Sequence, residues 1–142
     1  MLKDIPSILS PELLKVLMEM GHGDELVIAD GNFPSSSISQ RLIRLDGHPI
    51  PVILEAVLKL FPLDTYVEKP VSLMEVTPGD KVKPVIWEEY RRIIQESKEP
   101  FKEFEYVERF EFYERAEKAY AVVATGESAL YANIILKKGV VV

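Results

Sequence analysis

One histidine in this chain stands where proton transfer is chemically reasonable. His22 lies in Gly21-His22-Gly23-Asp24, just ahead of the apolar run Leu26-Val27-Ile28-Ala29, and Asp30-Gly31-Asn32-Phe33-Pro34 follows that run. An imidazole with the ordinary histidine pKa of about 6.5 both gives and takes a proton near neutral pH. The flanking glycines leave room for a ligand to approach closely. A plain helix-to-strand turn carrying a solvated histidine has the same local pattern, so spacing leaves both readings open. Asp30 is open in the same way: it is a base or hydroxyl-binding carboxylate, or it caps the turn that follows it. The only other histidine, His48, sits in Asp46-Gly47-His48-Pro49 and reads as part of a turn.

Two further clusters carry polar chemistry. In Arg109-Phe110-Glu111-Phe112-Tyr113-Glu114-Arg115, a helix puts Arg109 beside Tyr113 and Glu111 beside Arg115 at i, i+4. Glu111 and Arg115 read as a surface ion pair. Tyr131-Ala132-Asn133 precedes the apolar Ile134-Ile135-Leu136, where a phenol and an amide can grip sugar hydroxyls or simply open a strand.

Other chemistries lack their residues. There is no cysteine, hence no disulfide, thiolate nucleophile or cysteine-bound zinc. No second histidine stands at metal-ligand spacing from His22. Neither GxGxxG nor GxxxxGK[ST] occurs, so no glycine loop cradles a phosphate. Gly126-Glu127-Ser128 is not completed as a nucleophile elbow.

The elements that must position these groups follow from periodicity and punctuation. Ser10-Pro11-Glu12 opens a helix with a serine cap, and Leu13, Leu14, Val16, Leu17 and Met20 continue it toward Gly21 as its C-cap. Leu26 to Ala29 reads as a buried strand and Leu42 to Leu45 as a second. Pro51 to Phe61 reads as a helix, Val71 to Val76 as a strand ended by Thr77-Pro78-Gly79-Asp80, and Val85 to Gln95 as an amphipathic helix. Glu103 to Glu108 reads as a half-buried strand with Phe104 and Tyr106 inward. Phe110 to Lys118 is a helix, and Tyr120 to Ala124 and Asn133 to Leu136 are strands. Strands alternating with helices imply a single three-layer α/β/α domain, residues 1–142, with a mostly parallel sheet. Ligands in such sheets bind where loops converge outside strand ends, and Asp30 is at one such exit.

Composition limits the setting. The chain has 142 residues, 47% of them hydrophobic, enough for a core without staples. A net charge of −6 disfavours nucleic acid as a partner. Met1-Leu2-Lys3-Asp4-Ile5-Pro6 lacks a signal-peptide pattern, and no apolar run reaches the ~18 residues of a membrane span. No membrane partner and a cytoplasmic setting are the expectations.

Geometry sets one problem. A strand rises ~3.3 Å per residue, so His22 and Asp30 fall at opposite ends of theirs. The strand is bent, a neighbouring subunit completes the site, or one of the two residues is structural.

Taken together, the segments resemble the D-ribose pyranase/L-fucose mutarotase family, and within it the L-fucose mutarotase branch. The resemblance runs from Ile8-Leu9-Ser10-Pro11-Glu12-Leu13-Leu14 through Glu19-Met20-Gly21-His22-Gly23-Asp24-Glu25, Asp30 and Phe33-Pro34. It resumes in Arg109-Phe110, Phe112-Tyr113-Glu114-Arg115-Ala116, Thr125-Gly126-Glu127, Tyr131 and Asn133-Ile134, and is weakest over roughly Lys69 to Phe104. It implies a ribose-pyranase-like fold and a cofactor-free, metal-free isomerase interconverting sugar anomers, L-fucose first among them. His22 then matches the proton donor, and Asp30, Arg109, Tyr131, Ala132 and Asn133 match sugar-binding positions. Tyr113 and Phe33 are further candidates, with Phe33, Phe112 and Trp87 available to meet a sugar methyl. The resemblance also implies a homo-oligomeric ring, typically a decamer, with sites near subunit boundaries. The alternatives are D-ribose pyranase-type activity and a monosaccharide-binding protein without catalysis.

Overall fold

The structure is a computed structural model describing residues 1–142. Its elements are α1 (Pro11–Glu19), β1 (Glu25–Ala29), α2 (Ser35–Ile38), β2 (Leu42–Leu45), α3 (Ile50–Leu58), β3 (Val71–Met74), α4 (Ile86–Ser97), β4 (Glu105–Val107), α5 (Arg109–Lys118), β5 (Ala121–Thr125) and β6 (Ile134–Lys137). The strands form one sheet in the order β2-β5-β1-β6-β3-β4. Three neighbour pairs are parallel (β1 with β5, β2 with β5, β3 with β4), while β6 runs antiparallel to β1 and to β3. The mostly parallel sheet agrees with the alternation of elements along the chain.

Side-chain alternation explains the layers. In β1, Leu26 and Ile28 face a core built with α1, α3 and α4, whereas Val27 and Ala29 face a second core with Phe33 and the α5 residues Phe112 and Ala116. Both faces are covered, so the central strands are apolar throughout and not alternating. β1 and β5 show this most fully, with Leu26 to Ala29 and Ala121 to Thr125 all buried.

Details depart from expectation for identifiable reasons. α1 stops at Met20 in extended conformation, and the left-handed residue is Gly23, at φ +87°, not Gly21. Gly21 instead donates its N–H to Asp24 Oδ2 at 2.8 Å. Phe104, just ahead of β4, is fully buried, but Tyr106 within it is 43% exposed, because β4 is the sheet edge and that face is only partly covered. Arg115 does not pair with Glu111; it reaches across to Glu25 and Glu105, in a partly buried network joined by Ser72. The short helix α2 has no counterpart in the sequence reading.

Candidate active site

β1 ends at Ala29, and Asp30 follows directly. Because β6 is antiparallel to β1, the residues preceding β6 come alongside the end of β1. Asn133 thereby accepts the Asp30 backbone N–H on Oδ1 at 2.8 Å. The Asp30 carboxylate turns back to accept the Asn32 N–H at 2.9 Å. Asp30 is only 7% exposed, and burial pushes its carboxyl above the ordinary aspartate value. Backbone N–H groups of Asn32, Phe33 and Ala132 act against that rise, and the charge of Glu127 adds to it.

The first turn of α5 supplies the opposite wall. Glu108 caps this helix by accepting the N–H groups of Phe110 and Glu111. Arg109 and Tyr113 lie one turn apart as expected, with Arg109 Nε donating to the Tyr113 hydroxyl at 3.2 Å. Asp30, Phe33, Arg109, Tyr113, Tyr131 and Asn133 line one cavity of about 250 Å³. Met74 and Leu130 add apolar surface there, and Asn32, Thr77 and Asp80 complete the rim.

Tyr131 is held unusually firmly. Its backbone takes φ +55°, a left-handed conformation that is uncommon for a non-glycine residue. Trp87 Nε1 donates to its carbonyl at 2.8 Å. Its hydroxyl donates to Asp80 Oδ2 at 2.7 Å and accepts the Thr77 N–H at 3.3 Å. Ala132 is buried and contributes only backbone: its N–H faces Asp30, and its carbonyl accepts the Tyr90 hydroxyl at 2.7 Å.

His22 is elsewhere. It precedes β1, at the opposite end of the strand from Asp30. There its Nε2 lies 3.0 Å from Asp64 Oδ1, and its ring centroid lies 5.0 Å from that of Tyr66. The imidazole is 42% exposed and the Asp64 side chain 4%. Burial alone would raise the Asp64 carboxyl, but the Tyr66 N–H and the His22 ring outweigh it and hold it below the usual aspartate range. The Asp64 loop can sit this close because a glycine faces it: a Cβ on Gly139 would meet the Leu63 carbonyl oxygen at 2.5 Å. An ionised Asp64 can only accept, so Nε2 donates its N–H to Oδ1, which leaves Nδ1 of His22 as the ring nitrogen without a protein partner.

The structure therefore brings together Asp30, Arg109, Tyr113, Tyr131, Asn133 and Phe33 and leaves His22 apart. Of the three aromatics considered for a sugar methyl, Phe33 lines the cavity. Phe112 is fully buried beneath it, and Trp87 serves the Tyr131 backbone. Asp64, Thr77 and Asp80 were not singled out as site residues from the sequence. Their one signal was that Thr77 and Asp80 belong to the turn ending β3. No group of three or more His, Asp or Glu side chains is arranged to hold a metal ion, and no helix is long and apolar enough to cross a membrane.

Comparison with known proteins adds to this geometry. Residues 3–141 match the model of the RbsD / FucU transport protein family. The fucose mutarotase of Mus musculus is 59% identical over 144 residues, spanning 97% of this chain and 94% of that protein. The crystal structure of the fucose mutarotase from Streptococcus pneumoniae in complex with L-fucose superposes with a TM-score of 0.94 at 56% identity, over 99% of this chain and all of that one. Bacillus subtilis RbsD complexed with D-ribose shares the fold more distantly, with a TM-score of 0.72 at 26% identity over 94% of this chain and 95% of that one.

Proposed function

Because this chain belongs to the RbsD / FucU transport protein family, we propose that it is an L-fucose mutarotase, interconverting the α and β anomers of the sugar. One observation carries the reading. Asp30, Arg109, Tyr131 and Asn133 come from separate segments and converge on a single cavity, in a chain 56% identical to a mutarotase whose structure holds L-fucose.

Mutarotation breaks the C1–O5 bond of the hemiacetal and remakes it on the other face of the aldehyde. The ring oxygen must gain a proton as the anomeric hydroxyl loses one. In our reading His22 is the proton donor to the ring oxygen and takes the proton back on closure. Asp64 accepts the Nε2–H, so the proton given to the ring oxygen is the Nδ1–H of the imidazolium, and closure returns it to Nδ1. Asp30 and Asn133 orient hydroxyls, and Arg109 faces oxygen that gains negative charge as the ring opens. Phe33, Met74 and Leu130 give the C6 methyl an apolar wall. Positioned acid–base groups contribute ~10²–10⁴-fold.

His22 of one copy meets the Asp30 cavity of another in this scheme. That requires a homo-oligomer, with His22 and the cavity meeting either reciprocally across a two-fold interface or head to tail around a closed ring. A ring-shaped assembly, a decamer by family resemblance, acting in the cytoplasm is the form we propose.

The test is exchange NMR at the anomeric protons of L-fucose, with D-ribose for comparison. Wild-type protein should speed α–β exchange of L-fucose, and His22→Ala should lose most of that gain while still binding the sugar. Binding without acceleration in the wild type would make this a sugar-binding protein instead.

A further inference from the structure

The turn Thr77-Pro78-Gly79-Asp80 folds over the sugar cavity. Gly79 takes φ +92°, and the Asp80 N–H returns to the Thr77 carbonyl at 3.0 Å. This closure aims the Thr77 N–H and the Asp80 carboxylate at one atom, the Tyr131 hydroxyl oxygen.

A phenol has one proton to donate and two lone pairs to accept with. Here the proton goes to Asp80 Oδ2 at 2.7 Å, and one lone pair takes the Thr77 N–H at 3.3 Å. Asp80 is exposed, and its other carboxylate oxygen accepts the Val82 N–H at 3.1 Å. The Tyr131 hydroxyl, foremost, and the Val82 N–H hold its carboxyl below the ordinary range, so at neutral pH it is an acceptor only. What Tyr131 has left for a ligand is one lone pair. It can therefore only receive a hydrogen bond from a sugar hydroxyl, and ring opening requires one hydroxyl, at C1, to give up its proton.

We propose that Asp80 is a positioning residue that completes a proton relay from the anomeric hydroxyl through Tyr131. The C1–OH proton moves to the Tyr131 oxygen as the phenol's own proton moves to Asp80. The electron pair of that O–H bond becomes the second bond of the C1 carbonyl. The C1–O5 pair stays on O5, which takes the proton that His22 supplies. Closure on the other face runs each transfer in reverse, and nothing is consumed. Besides Asp80, the titratable groups about the Tyr131 hydroxyl are Arg109, Tyr113 and Asp30, which share the cavity. Only Asp80 bonds the hydroxyl itself. This proposal rests on the mutarotase reading.

The experiment measures kcat and KM for L-fucose anomer exchange. Asp80→Asn keeps a carbonyl oxygen to accept the Tyr131 hydroxyl but cannot take its proton. We expect kcat to fall at least about tenfold with KM held within about twofold, and Asp80→Glu to regain part of the loss. Tyr131→Phe should fall similarly, and the double variant no further, because the two act as one unit. A relay also predicts a larger solvent deuterium effect on kcat in wild type than in Asp80→Asn. An Asp80→Asn enzyme with unchanged kcat, a loss in KM alone, or losses that multiply in the double variant would overturn the relay while leaving an active wild type. A wild type that fails to speed exchange would remove the mutarotase reading, and the relay with it.

Discussion

His22 and Asp30 stand at the two ends of the same strand, the histidine before Glu25 and the aspartate straight after Ala29. The five residues of β1 at ~3.3 Å each put roughly 16 Å of strand between them. One monosaccharide cannot touch both within a single copy. If both act on it, they belong to different subunits, and subunits defective in one can rescue subunits defective in the other.

Mixing tests this directly. His22→Ala and Arg109→Ala should each be nearly inactive alone. Co-assembled at equal amounts, random pairing gives about a quarter of sites an intact histidine and an intact cavity. Exchange NMR on the mixture should show that fraction of wild-type activity. Persistently dead mixtures that do co-assemble would mean that His22 and Arg109 serve the same site from one chain, or that one of them serves none.

Asp64 links the chemistry of His22 to acid stability. Its carboxyl is held below the ordinary aspartate value, so between the two values the unfolded chain binds more protons than the folded one. Stability then rises with pH through that window: the contribution is present at neutral pH and lost as pH falls through the depressed value. Asp64→Asn should flatten the acid side of the curve of urea midpoint against pH. It should also lower kcat by about 10²-fold, since the amide keeps an oxygen for the Nε2–H but carries no charge to face an imidazolium and can turn its NH2 toward the ring instead. An unchanged acid limb would show that the His22 and Tyr66 contacts do not hold the carboxylate.

Asp30 carries the opposite sign. Burial raises its carboxyl, so the folded chain binds more protons than the unfolded one between the ordinary and the raised value. Stability therefore falls as pH climbs through that window, and the cost persists at pH 7. Asp30→Asn keeps an oxygen for the Asn32 N–H without the buried charge. The variant should melt higher than wild type at pH 7 while binding L-fucose more weakly. A lower melting point would show that the N–H groups of Asn32, Phe33 and Ala132 more than offset the burial.

What could be read from the sequence, and what could not, follows from the range of the interactions. Asp30, Arg109 and Asn133 sit at element ends that Gly, Pro and apolar periodicity mark locally, and so β1, α5 and β6 could be placed and their ends with them. Asp64 and Asp80 act on partners 42 and 51 positions away, and nothing around either residue in the sequence points to those partners. Arg115 shows how tertiary structure overrides a local rule. Its helical neighbour Glu111 is exposed, whereas Glu25, 90 positions away, is delivered by the sheet to a partly buried site where the ion pair is less screened. The four-residue α2 lacks both a capping side chain and enough length for periodicity to register.

Two tyrosines that meet neighbouring residues should separate stability from chemistry. Tyr90 is fully buried, and its hydroxyl is the group that donates to the Ala132 carbonyl at 2.7 Å. Tyr90→Phe strands that carbonyl without a partner, at a cost of about 1–3 kcal/mol. Tyr131→Phe removes an accessible hydroxyl whose partners, Thr77 N–H and Asp80, stay open to water, so its unfolding midpoint should barely move. Urea denaturation with exchange NMR on both variants checks the contrast: Tyr90→Phe loses stability and keeps most of its kcat while folded, and Tyr131→Phe does the reverse. If Tyr90→Phe lost kcat as well at full folding, the Ala132 backbone that it anchors would be setting the geometry of Asp30 and Asn133 more tightly than their own mutual hydrogen bond does.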